Sequence, residues 1–563
     1  MPSRSKPVGL DNDRGRKTMD VDGAEETSGA HALARMLQAH GAGPIFVPGG
    51  LSGDPLDRAV AALGLAYAPI VDARAAAFAA DAYAEASGRV GLLMLPRSAD
   101  ATELACGLRV AREAGSPVIA LLPEPDAVAA GVLAATCKEV LRLAAAADVP
   151  ALVRRAFIAA TTGRPGPVVL VLPAAALAES ATFVPADLVE HGRFESASAL
   201  RARPDLEALN EAADRLAVAE RPLVLAGPDV HVSRAAKALQ DLAEKHALPV
   251  AHTPGGNGAV ACAADAAAGL LAPGTAAARA LPDADLVLAI GGALDEIAAD
   301  APDLLGFPAQ VVALEARAEA IGRARAVSVP LWGDPRAGIE ALAHVLEKRG
   351  AEPPAARADW AREVAAAAQA ERRDAAERLR GEPGEPTRAR LVSLLDEYMP
   401  ADGLLLVDPG AEARAARAGY TVKRCGRGLI AARDPGAEGS AFAAAIGAAL
   451  AAPGRVVVAL ASERGAARAL GTLASARRLG LPVNLVVANA SAARAALDPE
   501  GEGAASDLVE TRFDEAARGL GCLGLRAESA DDLATSLERA LSFRDGPALV
   551  DVKIASEADL DES

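Results

Sequence analysis

Aromatic residues are scarce: the 563-residue chain holds two tryptophans, four tyrosines and nine phenylalanines. Alanine, valine and leucine must therefore fill the core, and small side chains favour helices packed closely on a sheet. Cysteine is equally sparse. Cys106, Cys137, Cys262, Cys425 and Cys522 form no CxxC pair and no Cys/His cluster, so the sequence signals neither a zinc site nor a disulfide framework. Such unpatterned thiols fit a reducing, cytoplasmic setting. The last of the seven histidines is His344, which leaves the C-terminal third without a histidine ligand or base. Positive charge is in deficit, with a formal net charge of −17 that repels nucleic acid and anionic membranes. No apolar run is long enough, free of charges, to cross a membrane.

What the chain does have is alternation. At about 150 residues per domain the length suggests three or four domains. Residues 1–26 are polar, lack a signal peptide's apolar core and read as a disordered leader, with Met19 as an alternative start. A first block spans 27–190. In it, Thr27 and Ser28 precede the helix "GAHALARMLQAHG" (29–41), "FVPGG" (46–50) is a strand and its loop, and "AAAFAADAYAEASG" (75–88) is a helix ending in glycine. Strands follow at "VGLLML" (90–95), "SPVIALL" (116–122) and "GPVVLVLP" (166–173). A second block spans 206–347, with strands "RPLVLAG", "LPVAH", "ADLVLAIGG" and "AQVVALE". A proline-bounded linker, 348–387, encloses a charged helix. The third block, 388–556, carries "GLLLVDPG", "RVVVALA", "LPVNLVVAN" and "GPALVDVKI", before an acidic tail at 557–563. The expected fold class is α/β, with three consecutive doubly wound parallel-sheet domains. The first and third blocks are alike enough to fit an internal duplication.

The stretch "ALASERGAARAL" (459–470) lies between a β-branched strand and a helix. A strand–loop–helix of this kind is where α/β folds bind phosphate, because free N–H groups and a positive dipole end meet there. Glycines normally let the backbone approach the ligand. Here the loop offers Ser462, Glu463 and Arg464.

These blocks resemble, over about residues 27–556, the thiamine-diphosphate-dependent enzymes of the acetolactate synthase and pyruvate oxidase type. "FVPGG" and "RAAAFAADAYAEASGR" (74–89) are similar to that family's first domain. "RPLVLAGPDV" and "ADLVLAIGG" are similar to its central domain, and "AFAAAIGAALAAPGRVVVALA" with "LGLPVNLVVANAS" to its cofactor domain. The resemblance implies pyrimidine-binding-like, Rossmann-like central and diphosphate-binding-like domains, thiamine diphosphate and magnesium as cofactors, and a homodimer or tetramer in which first and third domains meet across subunits. An active family relative is a further partner it allows; no nucleic acid and no membrane is expected.

Residue by residue, the resemblance puts Gly49 and Gly50 in the first loop, Glu463 on the metal-binding aspartate of a Gly-Asp-Gly turn, Arg464 on the glycine after it, and Asn489 on a second metal ligand. Magnesium demands near-ideal octahedral oxygen ligation, and Glu463 brings a longer arm than aspartate. The glutamate that exchanges a proton with the cofactor's aminopyrimidine falls on Ala73, with Asp72 one place earlier and, by strand alternation, facing away. The apolar wedge that bends the cofactor falls on Glu438. A Gln-His pair falls on Ala411-Glu412, and a Gly-Pro-Gly turn falls within "PRSADAT" (96–102).

With no catalytic residue at position 73, the expected function is an acetolactate synthase-like protein with degenerate machinery, a structural or regulatory homologue. One alternative is an active carboligase or decarboxylase of 2-oxo acids with an altered cofactor site, in which Arg464 and Arg468 replace magnesium as the diphosphate's counter-charge; the plainer view of these arginines is a surface ion pair. Another is a nucleotide- or acyl-CoA-binding protein using "AIGGALDE" (289–296), where some relatives bind FAD or ADP; FAD itself is not expected. Trp332 and Trp360 read as packing residues.

Overall fold

The computed structural model describes residues 24–96, 101–189, 194–350, 352–380, 386–432, 434–490 and 511–554. Most of the leader, residues 97–100 of the "PRSADAT" turn and the acidic tail lie outside the described residues.

Three six-stranded sheets follow one another along the chain, every pairing within them parallel. The strands are nearly continuous apolar runs, as sheets covered by helices on both faces require. Val118–Leu122, Leu286–Ile290 and Val483–Asn489 are buried at every position. Numbered in chain order within each sheet, the first and third sheets share one strand order, 2-1-3-4-6-5, while the central sheet runs 3-2-1-4-5-6. The shared order extends the likeness of the first and third blocks from composition to topology. In each sheet the order reverses beside its first strand, and such switch points open a crevice at the strands' carboxyl ends.

The helix Ala73–Ser87 shows how composition becomes packing. Asp72 caps its start by accepting from Ala75 N at 2.7 Å, and Gly88 ends it in the left-handed region at φ 69°. Its buried face is almost all alanine, and it lies against the helix Ser440–Ala451 of the third domain. A Cβ on Gly447 would overlap the carbonyl oxygen of Ala79, so the two helices meet backbone to backbone. Scarcity of large side chains is what permits this approach.

The long helix Ala355–Arg380 is anchored on the central domain by Trp360, whose Nε1 donates to Pro222 O at 2.9 Å. Buried Arg357 donates to the carbonyls of Leu216, Ala217 and Ala219, closing the end of the helix Leu206–Val218. Trp360 packs as expected, but Trp332 does not. It ends an edge strand, Val329–Trp332, whose residues alternate buried and exposed, and it is 61% exposed. Glu25 and Glu26, expected within a disordered leader, and Thr27 and Ser28, expected as a helix cap, form a strand antiparallel to Ser180–Phe183, held by its backbone pairing, while Ser28 still caps the helix after it. No helix among the described residues is long and apolar enough to cross a membrane.

Candidate functional site

The third sheet's switch point lies between Leu404–Val407 and Val457–Ser462. Asp408, directly after the first of these, is fully buried and accepts from Gly439 N and Ala441 N, both at 2.8 Å, at the start of the helix Ser440–Ala451. Burial, with Glu412 and Glu438 nearby, pushes its carboxyl up to about 7 against the pull of those amides. Gly465 is held close above it, since a Cβ there would collide with an Asp408 oxygen.

The stretch 459–470 is not a loop. Ser462 ends the strand and accepts from Gly465 N at 3.1 Å, which starts a seven-residue helix, Glu463–Ala469. Glu463 is buried, and its Oε2 faces Ala490 N at 3.5 Å, just beyond the end of the neighbouring strand. The structure therefore brings Glu463 and the Asn489–Ala490 pair together. Asn489 is also buried, but its Nδ2 donates to Asp551 Oδ1 at 2.9 Å and Thr511 O at 3.0 Å.

Glu438 sits before the helix Ser440–Ala451 and faces both arginines of the next helix. Arg464 Nε lies 3.6 Å from its Oε1 and Arg468 Nε 3.4 Å from its Oε2. Glu438 is half-buried and its charge is thus compensated; the two arginines, which one alternative assigned to a diphosphate, are turned to Glu438. The segment 434–438 is gripped from the first domain as well. Arg74 Nη2 donates to Gly436 O at 3.1 Å and Glu438 O at 2.7 Å, Cys106 Sγ donates to Gly436 O at 3.1 Å, and Arg109 pairs with buried Asp434. First and third domains, expected to meet across subunits, already meet at this point within one chain.

Ala73 is buried at the start of its helix and carries no titratable group. Asp72 is no substitute, because capping occupies it. Gly49 and Gly50, at φ 71° and 93°, make the turn after the first sheet's Ile45–Pro48, and their amides are spent on Ile70 O and Val47 O. Glu412, on the Gln-His position, forms a buried ion pair with Arg388 at 2.9 Å. Sequence reasoning missed Asp408, Arg74 and Asp434. Asp408 was findable as the acid after a strand at a switch point; the other two depend on which domain lies opposite.

Glu438 brings a carboxylate to the crevice, balanced by Arg464 and Arg468, and Asn489's amide is engaged by Asp551 and Thr511. Among the described residues no three His, Cys, Asp or Glu side chains gather as a metal would need. The central switch point is acidic too. Glu315 is buried and pushed up to about 8, chiefly by burial, and takes Gly292 N on both oxygens at 2.9 and 3.0 Å. Asp229 packs on Gly291 at the same turn, which one alternative assigned to a nucleotide.

Residues 27–140 match the family model described as the thiamine pyrophosphate enzyme N-terminal TPP binding domain, 209–342 its central domain, and 410–552 its C-terminal TPP binding domain. The chain is similar to the acetolactate synthase large subunit of Parasynechococcus marenigrum, 29% identical over 493 residues, covering 84% of this chain and 77% of that protein. It is 25% identical over 566 residues to acetolactate synthase of Mycobacterium bovis, covering 95% and 89%. With the acetolactate synthase isozyme 2 large subunit of Escherichia coli it shares 26% over 475 residues, 82% of each. Three matched domains in order, with relatives of one kind along nearly the whole length, make the chain a member of the thiamine pyrophosphate enzyme family, of the acetolactate synthase type.

Proposed function

We propose that this chain is an acetolactate synthase-like protein that does not run the family's thiamine-dependent reaction and acts as a structural or regulatory homologue. The observation that carries the proposal is the fixed segment 434–438: Glu438 stands between Arg464 and Arg468 while Arg74 holds its backbone. A carboxylate in that place repels a diphosphate and neutralises the two cations that would attract one. Ala73 adds to it, since an alanine accepts no proton.

A second reading, an active carboligase or decarboxylase of 2-oxo acids, is favoured by one contact. Glu463 and Asn489–Ala490 lie together at adjacent strand ends, where the family's metal ligands fall.

Titration calorimetry of the full chain with thiamine diphosphate, with and without magnesium, separates the two, followed by an assay for pyruvate consumption. The proposal expects no saturable heat and no turnover. Magnesium-dependent micromolar binding with pyruvate consumption would replace it with the second reading.

A further inference from the structure

A cleft of about 290 Å³ opens where all three domains meet, on the side of the first domain where its helices Ala73–Ser87 and Leu104–Ala114 end. It is lined by Glu85, Ser116, His231, Arg234, Lys237 and Arg427, among others. We propose that this cleft binds a small phosphorylated compound, its phosphoryl group held by Arg234, Lys237 and Arg427 with the Ser116 hydroxyl, and its organic remainder lying in the cleft.

Charge is the first support. Three cations line the cleft with one carboxylate, Glu85, which is paired with Arg427 at 2.6 Å; behind it lies buried Asp81, its carboxyl pushed well up by burial and by Glu85 and drawn down by Ser116 and Arg427. His231 is held neutral, its ring nitrogen against Asn257 O at 3.0 Å and its burial opposing protonation. Lys237 has Asp241 beside it on its own helix. Arg234 is not balanced by any carboxylate among the described residues. The charges pressing on it are Arg201 and Arg336, which are themselves bound to Asp334 and Glu340. A cationic cleft in a chain of net charge −17 runs against the molecule's overall field.

Construction is the second. Arg234 stands at φ 54°, a conformation side chains rarely adopt, and its guanidinium lies over Gly88, where any Cβ would collide with it. The C-terminal turn of the helix Ala73–Ser87 favours a cation at that point and fixes where the guanidinium sits. Opposite, Ser116 is buried, its hydroxyl beside the carboxyl of Asp81, which burial and Glu85 push toward its neutral form. A tetrahedral dianion meets several cations and a hydroxyl from different directions, whereas a planar carboxylate is satisfied by a single guanidinium fork. Arg234 and Lys237 are exposed at the rim, so a ligand can enter.

The test uses the full-length protein, inorganic phosphate and glycerol 1-phosphate as probes, and ionic strength held constant with sodium chloride. Thermal unfolding should shift upward with either probe and calorimetry should give saturable binding. Arg234→Ala and Lys237→Ala should each weaken binding about tenfold or more, and Arg464→Ala, at the other anion-facing cluster, should leave it unchanged. Lys237→Ala, at an exposed position, keeps the test valid if Arg234→Ala folds poorly. Tighter binding of glycerol 1-phosphate identifies an organic phosphate as the ligand; equal binding identifies free phosphate. No response from the unaltered protein at 10 mM (roughly the upper range of weak metabolite sites), or a response that survives both substitutions, overturns the proposal.

Discussion

Arg74 donates to the backbone oxygen of Glu438 at 2.7 Å across 364 residues of sequence, and this bond ties the start of the first domain's longest helix to the segment that enters the third domain's crevice. Arg74→Ala should speed amide exchange over residues 436–441 and lower stability by about 1–2 kcal/mol, the scale of a partly exposed hydrogen bond from a charged donor. Exchange in the central domain should not change. Unaltered protection at Gly439 and Ala441 would show that Asp408 alone holds the segment.

Glu438 restrains Arg464 and Arg468, so its removal should release an anion site. Glu438→Gln is expected to tighten pyrophosphate binding about tenfold at low salt, an effect that ionic strength then erodes. Calorimetry at two salt concentrations checks it. Binding equal to that of the unaltered protein would mean that the arginines are already available to anions.

Asp408 makes a signed prediction about pH. Its carboxyl stands at about 7 in the fold against 3.8 unfolded, so the folded state holds the proton over the range between. Stability from this group is fully present below the unfolded value, falls as pH rises from about 4 to 7, and is level above. The swing is on the order of 4 kcal/mol as an upper figure. Asp408→Asn should flatten the denaturant midpoint over that window while lowering it overall, because an amide nitrogen then opposes Gly439 N or Ala441 N. An unchanged slope would place the titration elsewhere.

Gly447 has no room for any side chain against Ala79. Gly447→Val should cost several kcal/mol, by overpacking and a forced shift of the helix pair. Its signature is separation of the first and third domains, read as early proteolysis between them. A fold as stable as the original would refute the backbone-to-backbone contact.

The fold was largely legible because parallel strands are buried on both faces and so announce themselves as apolar runs, and because glycines such as Gly88 mark where helices stop. Edge strands were less visible. Leu429–Ala431 is short, and Val329–Trp332 is half exposed, which is why Trp332 was expected to pack. At the site, the meeting of Glu463 with Asn489–Ala490 was implied by the family resemblance, and both lie at the ends of adjacent strands. The grip of Arg74, Cys106 and Arg109 on 434–438 had no local signal. It arises only when domains more than 300 residues apart in sequence are folded against each other. The resemblance set Gly49 and Gly50 in a cofactor-binding loop; their positive φ serves the turn.

The alanine-lined contact between Ala73–Ser87 and Ser440–Ala451 has a mechanical consequence. Interfaces built from long side chains can tilt by degrees, because rotamers change and fill the wedge that opens. Two backbones in direct contact have no such filler, so a small tilt opens an empty gap that nothing can follow. Along this contact the first and third domains are therefore coupled as one solid piece, which a tilt cannot part by degrees.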